Sequence, residues 1–460
     1  MQRRSSFFAL LTFACLSVLG CRSGADVDRS LIAEVLTASE VSPNLRAICI
    51  PGGRLSGSPN GEKAEQLIAD KLHEYGLSNI HFEPFTMTTW QDRRTEVSLL
   101  DDPPVTLEPA QSLGNCLSTP PDGITGELVD VGVGVDDDFK AKAAVLPGRF
   151  ALAHDGGPHR GRKMRSALQY GAIGLLLASD SEDQVVVGNC HDGPKPQPGV
   201  AITKAAGDKL AARLAVGETV KVNVKIDADA WECRPRNVVG EIPGSGPLAK
   251  EVILLGAHLD SWHLAEGALD NGTGSATILE VARAMMKTGW HPRRTVRFVW
   301  FMGEEHGLLG SEAYVEQHKA ELDRLIAMVN MDMAGEPRSF VVYGHPEAIG
   351  PVKTVCDRLR GYEVSCDLVE ARGAGSDHAS FMNCGVCCIA LHGEMGPGVK
   401  YYHTASDTYD QVDRRSLNAA AAALAVLVRH LADSPLPAHR LPQRTGEPAS
   451  QPASQTKAAR

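Results

Sequence analysis

The chain alternates short, wholly apolar runs with amphipathic stretches of helical period. Val252 to Leu255, closed by Gly256, is a β-branched and aliphatic run that reads as a strand buried on both faces of a parallel sheet. Thr295–Met302 reads the same way, and so does the apolar part of IAMVNMDMAG. Helical sequence separates these runs. After Asp270 a Gly-rich turn opens a helix whose apolar face carries Ile278, Leu279, Val281, Ala282, Met285 and Met286, the methionines as core. Upstream, Asp26–Leu36 reads as helix. Leu67, Ile68, Leu72 and Tyr75 fall at helical spacing behind the turn-rich RLSGSPNGEKA, with Gly76 as the stop. An Ala-rich helix from Arg414 to Ala432 closes the folded part.

The middle of the chain has a different rhythm. From Ile80 to Leu107 the runs are short and strand-like, and Pro103, Pro104, Pro120 and Pro121 punctuate them, which suggests a domain boundary near residue 119. Between Gly123 and Asp229 lie the Val-rich runs ITGELVDVGVGV, GRFALAHDG and VKVNVKI, a helix MRSALQYG and a strand AIGLLLAS. This block reads as a compact α+β unit, after which the main sheet resumes at RNVVGEIPG. Strands alternating with helices on either side of it give an α/β protein with a mostly parallel, mixed sheet flanked by helices.

The chemistry sits where the apolar runs stop. In open α/β sheets the C-terminal ends of the strands border the ligand crevice. His258 and Asp260 follow the first run, and GALDNGTGSA adds Asp270. Glu304 and Glu305 follow the second run, Asp332 the third, and His403 lies in the polar loop YYHTASDTYDQVD. A lone His-x-Asp is weak evidence. Three strands that each end in acidic or imidazole residues are hard to explain by packing. His258 and Asp260 project to the same side, so Asp260 can orient the imidazole while its other nitrogen binds a metal. A pair of metal ions needs about one imidazole each plus carboxylates, one of them bridging. Mixed His and carboxylate ligation suits zinc best, and cobalt or manganese also fit.

Composition narrows the partners. With 46 Lys and Arg against 56 Asp and Glu, a net charge of −10, no basic field exists to hold a phosphate backbone, so nucleic acid is excluded. Arg3 and Arg4 precede the apolar run Phe7–Leu19, too short to span a bilayer and laid out as an export signal. Val18-Leu19-Gly20-Cys21 resembles a bacterial lipobox, which would make Cys21 a lipid anchor and the protein a periplasmic or cell-envelope lipoprotein. Ordinary cleavage and secretion is the alternative. Of 11 cysteines, Cys15 and Cys21 fall in this leader and an odd number remains. Cys384-x-x-Cys387-Cys388 has no second Cys or His pair at finger spacing, so buried thiols or one disulfide are expected. His154, His159 and His191 read as solvated loop histidines. From Ser434 the Pro, Gln, Ser and Ala composition reads as a disordered tail.

RLSGSPNGEKA, HLDSWHLAEGALDNGTG, the GEE after a strand, MDMAG and YYHTASDT together make the chain resemble the M28 family of dinuclear zinc exopeptidases, carboxypeptidase Q type, over about residues 40 to 432. The resemblance implies a phosphorylase/hydrolase-like sheet. His258, Asp270 and Asp332 would hold one Zn²⁺ and Asp270, Glu305 and His403 a second, with Asp270 as the bridge. Glu304 would be the general base and Asp260 the support of its histidine. The peptide bond between Asp270 and Asn271 would be cis. The middle block resembles a PA domain. The implied organisation is a leader at 1–21, a first part of the catalytic domain at 22–118, the PA-like insert at 119–232, the main catalytic part at 233–433 and the tail at 434–460. Substrates would be small peptides with a free N-terminus, and a homodimer stays open. Two relatives are alternatives: a single-zinc cyclotransferase of the glutaminyl-cyclase type and an inactive receptor-like ectodomain. The intact ligand set and base argue against the second.

Overall fold

The run expected at Val252–Leu255 opens a strand, Val252–His258, with every residue buried. In the computed structural model, which describes residues 23–362, 364 and 366–434, it is flanked in parallel by Thr295–Phe301 and Leu325–Asn330. The expected leader with Cys21, and the expected tail beyond Ser434, lie outside the described residues. The three strands therefore end side by side. They form the centre of an eight-stranded sheet in the order Ser78–Pro84, Arg236–Ile242, Thr295–Phe301, Val252–His258, Leu325–Asn330, Cys388–Glu394, Glu336–Tyr343, Asp367–Ala371. The pairings toward Ser78–Pro84, and that of Glu336–Tyr343 with Cys388–Glu394, are antiparallel, so the sheet is mixed and parallel at its functional centre.

Alternation along the central strand shows why it must be apolar throughout. Ile253 and Leu255 join a large core with the helices Gly24–Ala38, Val41–Ile48, Pro59–Tyr75, Thr273–Lys287 and Arg414–Asp433. Val252 and Leu254 point the other way, into a smaller core with Tyr314 and Phe381 from the helices Leu309–Gln317 and His378–Asn383. A strand with helices on both faces has no solvent side. The helices begin and end on local signals. Ser58 caps Pro59–Tyr75 by accepting from the Gly61 amide, Pro59 takes the first turn where its missing N–H costs nothing, and Gly76 closes the helix at φ 82°. Arg414–Asp433 buries the small side chains of Ala420 to Ala423, with Leu424 and Ala425, against the core.

The second sheet departs from expectation at its start. It runs Val105–Leu107, Met87–Leu99, Lys221–Cys233, Ile124–Asp130, Phe150–His154, Gly174–Ala178, Gly199–Ile202, Ala110–Ser112. Its two 13-residue strands pair from Met87 with Cys233 to Leu99 with Val222. Met87–Leu99, upstream of the boundary expected near residue 119, is thus a strand of this second sheet. The strands Glu336–Tyr343, Asp367–Ala371 and Cys388–Glu394 were not anticipated. Asp367–Ala371 is an edge strand with no buried residue, so it has no apolar run to read.

Among the described residues no helix is long and apolar enough to cross a membrane. Of the described cysteines only Cys233 and Cys384 are not buried.

Candidate metal centre

The three central strands deliver His258, the pair Glu304 and Glu305, and Asp332 to one edge of the sheet. Asp270 arrives by an irregular turn, Ala268–Gly272, in which neither it nor Asn271 has helical torsions. The peptide bond between these two residues is cis, as the resemblance implies. His403 comes from the loop after Gly396–Tyr401. All the residues expected to be ligands meet. His258 Nε2 lies 3.1 Å from Asp270 Oδ1 and 3.3 Å from Asp332 Oδ1. His403 Nε2 lies 3.0 Å from Asp270 Oδ2 and 3.1 Å from Glu305 Oε2. Asp270 thus turns one oxygen to each histidine, and the two three-residue groups share it.

The tautomers sharpen the point. His258 Nδ1 donates to the Asp260 carbonyl at 3.1 Å, and His403 Nδ1 donates to the Val187 carbonyl at 3.1 Å. With Nδ1 so engaged, each ring turns Nε2 toward carboxylate oxygens, contacts that either a proton on Nε2 or a cation between the partners satisfies. Two ligands each about 2.0–2.1 Å from a tetrahedral ion stand about 3.3 Å apart, close to the separations here. His403 Nε2 is buried without a hydrogen bond. The residues present fit a divalent ion at each group.

The local charges are strongly coupled. Burial disfavours charge on both histidines, but Asp332 and Glu304 raise His258 well above the usual range, and Glu305 and Asp270 raise His403 to about 9. Burial would raise Asp270, yet the two histidines hold it well below an ordinary carboxyl. Glu304 goes the other way: burial, with Asp332 and Glu305 nearby, pushes it well up against the opposing pull of His258.

One detail differs from the sequence reading. The backbone carbonyl of Asp260, not its carboxylate, holds the His258 ring; the carboxylate is 3.7 Å from Nδ1. That carboxylate instead accepts from the amides of Glu304 and Glu305 at 3.2 and 3.3 Å, fixing the backbone from which the two glutamates diverge.

Three further positioning residues were missed. Asp407 accepts from the amides of Leu269 and Asp270 at 2.6 and 3.2 Å. Asn271 donates to the Met331 carbonyl and accepts from the amides of Gly274 and Met333, tying the Asp270 turn to the loop of Asp332. Arg54, fully buried, donates to the carbonyls of Leu259, Glu266 and Gly267. All three lie inside the stretches that carry the resemblance, but nothing in their spacing marks them, because their partners are backbone atoms far along the chain.

The inserted unit reaches the centre directly. The Val187 amide donates to the His403 carbonyl at 2.9 Å, and Asn189 Nδ2 to the Glu305 carbonyl at 2.6 Å. Beside Asp270, Glu305 and His403 lies a small cleft walled by Trp262, Leu264, Ala265 and Thr404. Of the three histidines expected in solvent, His154 and His159 are half-buried. His191 is buried beside Cys116 and Cys190, donating to the Gln197 carbonyl at 3.0 Å. That expectation is corrected: the loops of the second sheet fold over one another, and a loop residue need not face water.

Residues 237–428 match the sequence model of Peptidase family M28, and residues 124–210 that of the PA domain. Carboxypeptidase Q of Mus musculus is 28% identical over 398 residues, covering 83% of each chain. The crystal structure of a Peptidase M28 precursor from Shewanella amazonensis superposes with a TM-score of 0.82 at 25% identity, over 92% of this chain and 99% of that one. A zinc aminopeptidase from Bacillus subtilis shares the fold, with a TM-score of 0.66 at 23% identity over 89% and 95% of the two chains.

Proposed function

From the premise that the chain is a metallopeptidase of family M28 with an inserted PA domain, we propose that it is a zinc-dependent exopeptidase acting on short peptides with a free amino terminus. The observation that carries this reading is the sharing of Asp270, one oxygen toward His258 and one toward His403. His258, Asp270 and Asp332 would hold one ion, and Asp270, Glu305 and His403 the other, with cobalt or manganese as substitutes for zinc. Bound ions supply Lewis acidity, which acidifies a water and polarises the scissile carbonyl.

Glu304 is the general base. It takes the proton of the attacking water and returns it to the departing amine. Its raised proton affinity suits that exchange, and the Asp260 carboxylate holds its backbone amide in place. Asp260 is therefore a positioning residue. Trp262, Leu264 and Ala265 give the cleft beside these ligands an apolar wall.

Metal analysis together with release assays on dipeptides, longer peptides and their N-acetylated forms tests the proposal. Two zinc ions per chain, stepwise release from the amino terminus and loss of cleavage on acetylation are expected. A single ion with cyclisation of N-terminal glutamine would favour the cyclotransferase chemistry instead, and cleavage indifferent to acetylation would overturn the exopeptidase reading.

A further inference from the structure

A third cluster of ligand-like atoms lies in the inserted unit, away from the candidate centre. The tripeptide Gly-Asn-Cys occurs twice there, as Gly114-Asn115-Cys116 and Gly188-Asn189-Cys190. The fold lays the two copies side by side. Gly114 and Asn189 form an isolated parallel bridge, the Gly114 amide donates to the Gly188 carbonyl at 2.9 Å, and the Cys190 amide donates to the Gly114 carbonyl at 3.2 Å. Asn115 Nδ2 donates to Asn189 Oδ1 at 3.2 Å. The result brings Cys116 Sγ within 3.4 Å of Cys190 Sγ, with both side chains buried. Gly199 keeps that space open, because a Cβ there would meet Cys190 Sγ at 2.9 Å and Cys116 Sγ at 3.4 Å.

We propose that Cys116 and Cys190 form a disulfide, and that this bond clasps the loop of the inserted unit onto the candidate metal centre. Bond formation needs the sulfurs to close from 3.4 Å to about 2.05 Å, a small side-chain rotation. A metal is the poorer occupant: two thiols and the His191 imidazole leave a structural zinc site one protein ligand short of the usual four.

The surroundings also suit thiol–disulfide exchange. The Gly199 amide donates to Cys116 Sγ at 3.1 Å. Burial alone raises the Cys116 thiol, but hydrogen bonds with Cys190, His191 and Gly199 outweigh it and bring the thiol down to about 6. Burial and its neighbour push Cys190 well up. Cys116 is thus the attacking thiolate. It displaces one thiolate from a low-molecular-weight disulfide oxidant, forming a mixed disulfide, and Cys190 then attacks the Cys116 sulfur and expels the second thiolate. The chain gives up two electrons and two protons, and the oxidant takes them up as two thiols.

The clasp would act next to the centre. It closes a loop whose ends are 74 residues apart, which removes open conformations of that segment. Cys190 follows Asn189, which holds the Glu305 carbonyl, and Val187, which is bonded through both its amide and its carbonyl to His403.

The test uses the full chain equilibrated with mixed reduced and oxidised glutathione, then denatured in acid, labelled with N-ethylmaleimide and digested. We expect a linked peptide pair carrying Cys116 and Cys190, unlabelled until reductant is added. Amide exchange at Val187 and Asn189 should be severalfold slower in the oxidised than in the reduced protein, and unresponsive to oxidation in a Cys116→Ser, Cys190→Ser double variant. Full labelling of both thiols after oxidation overturns the proposal, as does pairing of either with another cysteine. So does labelling that appears only after a chelator is added, or a linked pair with no change in exchange. Neither readout depends on peptidase activity, so failure here is separate from failure of the exopeptidase reading.

Discussion

Glu304 and Glu305 are neighbours in sequence, yet their side chains separate: Glu305 faces His403 at 3.1 Å, while Glu304 lies among His258, Asp332 and Asp377. Removing only the carboxylate of Glu304 should therefore spare the ligands. Glu304→Gln is expected to keep two ions by metal analysis while kcat falls about 10²–10⁴-fold, the range for loss of one general base; loss of metal in that variant would refute the role. Asp270→Ala should behave differently, because both groups depend on it and two cations without a bridging carboxylate repel each other. Both ions are expected to leave, and two ions at full occupancy would sink the shared-ligand assignment. These side chains were legible in the sequence, since each follows an apolar run or stands in a polar loop with no packing reason to be there. Asp407 and Asn271 were not, because what they do is hold backbone amides and carbonyls that only folding brings near.

Between elements, two buried groups do the joining. Arg54 binds the segment from Leu259 to Gly267, which links the central strand to the Asp270 turn. Arg54→Met fills similar volume but strands these carbonyls, each at about 1–3 kcal/mol. A clearly lower urea midpoint is expected, and an unchanged midpoint would show that the segment holds itself. Glu83, on the edge strand Ser78–Pro84, accepts from His81 and from His318 beyond the helix Leu309–Gln317. Burial would raise its carboxyl, but the imidazoles hold it at about 2 against an ordinary 4.5. With its folded value depressed, Glu83 contributes stability that is present above pH 4.5 and lost as pH falls toward 2. The stability difference between wild type and Glu83→Gln should therefore shrink over that window in urea melts; a constant difference would argue against the linkage. Helices and buried strands at this scale were readable from period and caps, whereas the edge strand Asp367–Ala371 was not, because half-solvated strands lack an apolar run.

At the scale of the whole molecule, the inserted unit is part of the centre's scaffold, since Val187 and Asn189 bond to the backbones of His403 and Glu305. Asn189→Ala should weaken retention of the ion at Asp270, Glu305 and His403 by about 10–100-fold, as loss of a ligand's supporting contact does. Chelator titration would register this as one ion leaving early, and identical curves would show that the unit only covers the site. By itself the sequence determined the α/β class, the buried central strands, and the residue types at their C-terminal ends, because period and burial are written locally and a buried strand must be apolar along its length. Only the tertiary structure decided that Asp270 faces both histidines and that the Asp260 carboxylate serves the glutamate backbone. Only it decided, too, that the second sheet starts at Met87 and that two Gly-Asn-Cys segments lie together. Each of these depends on strand register and on contacts between residues distant in the chain, which no local pattern specifies.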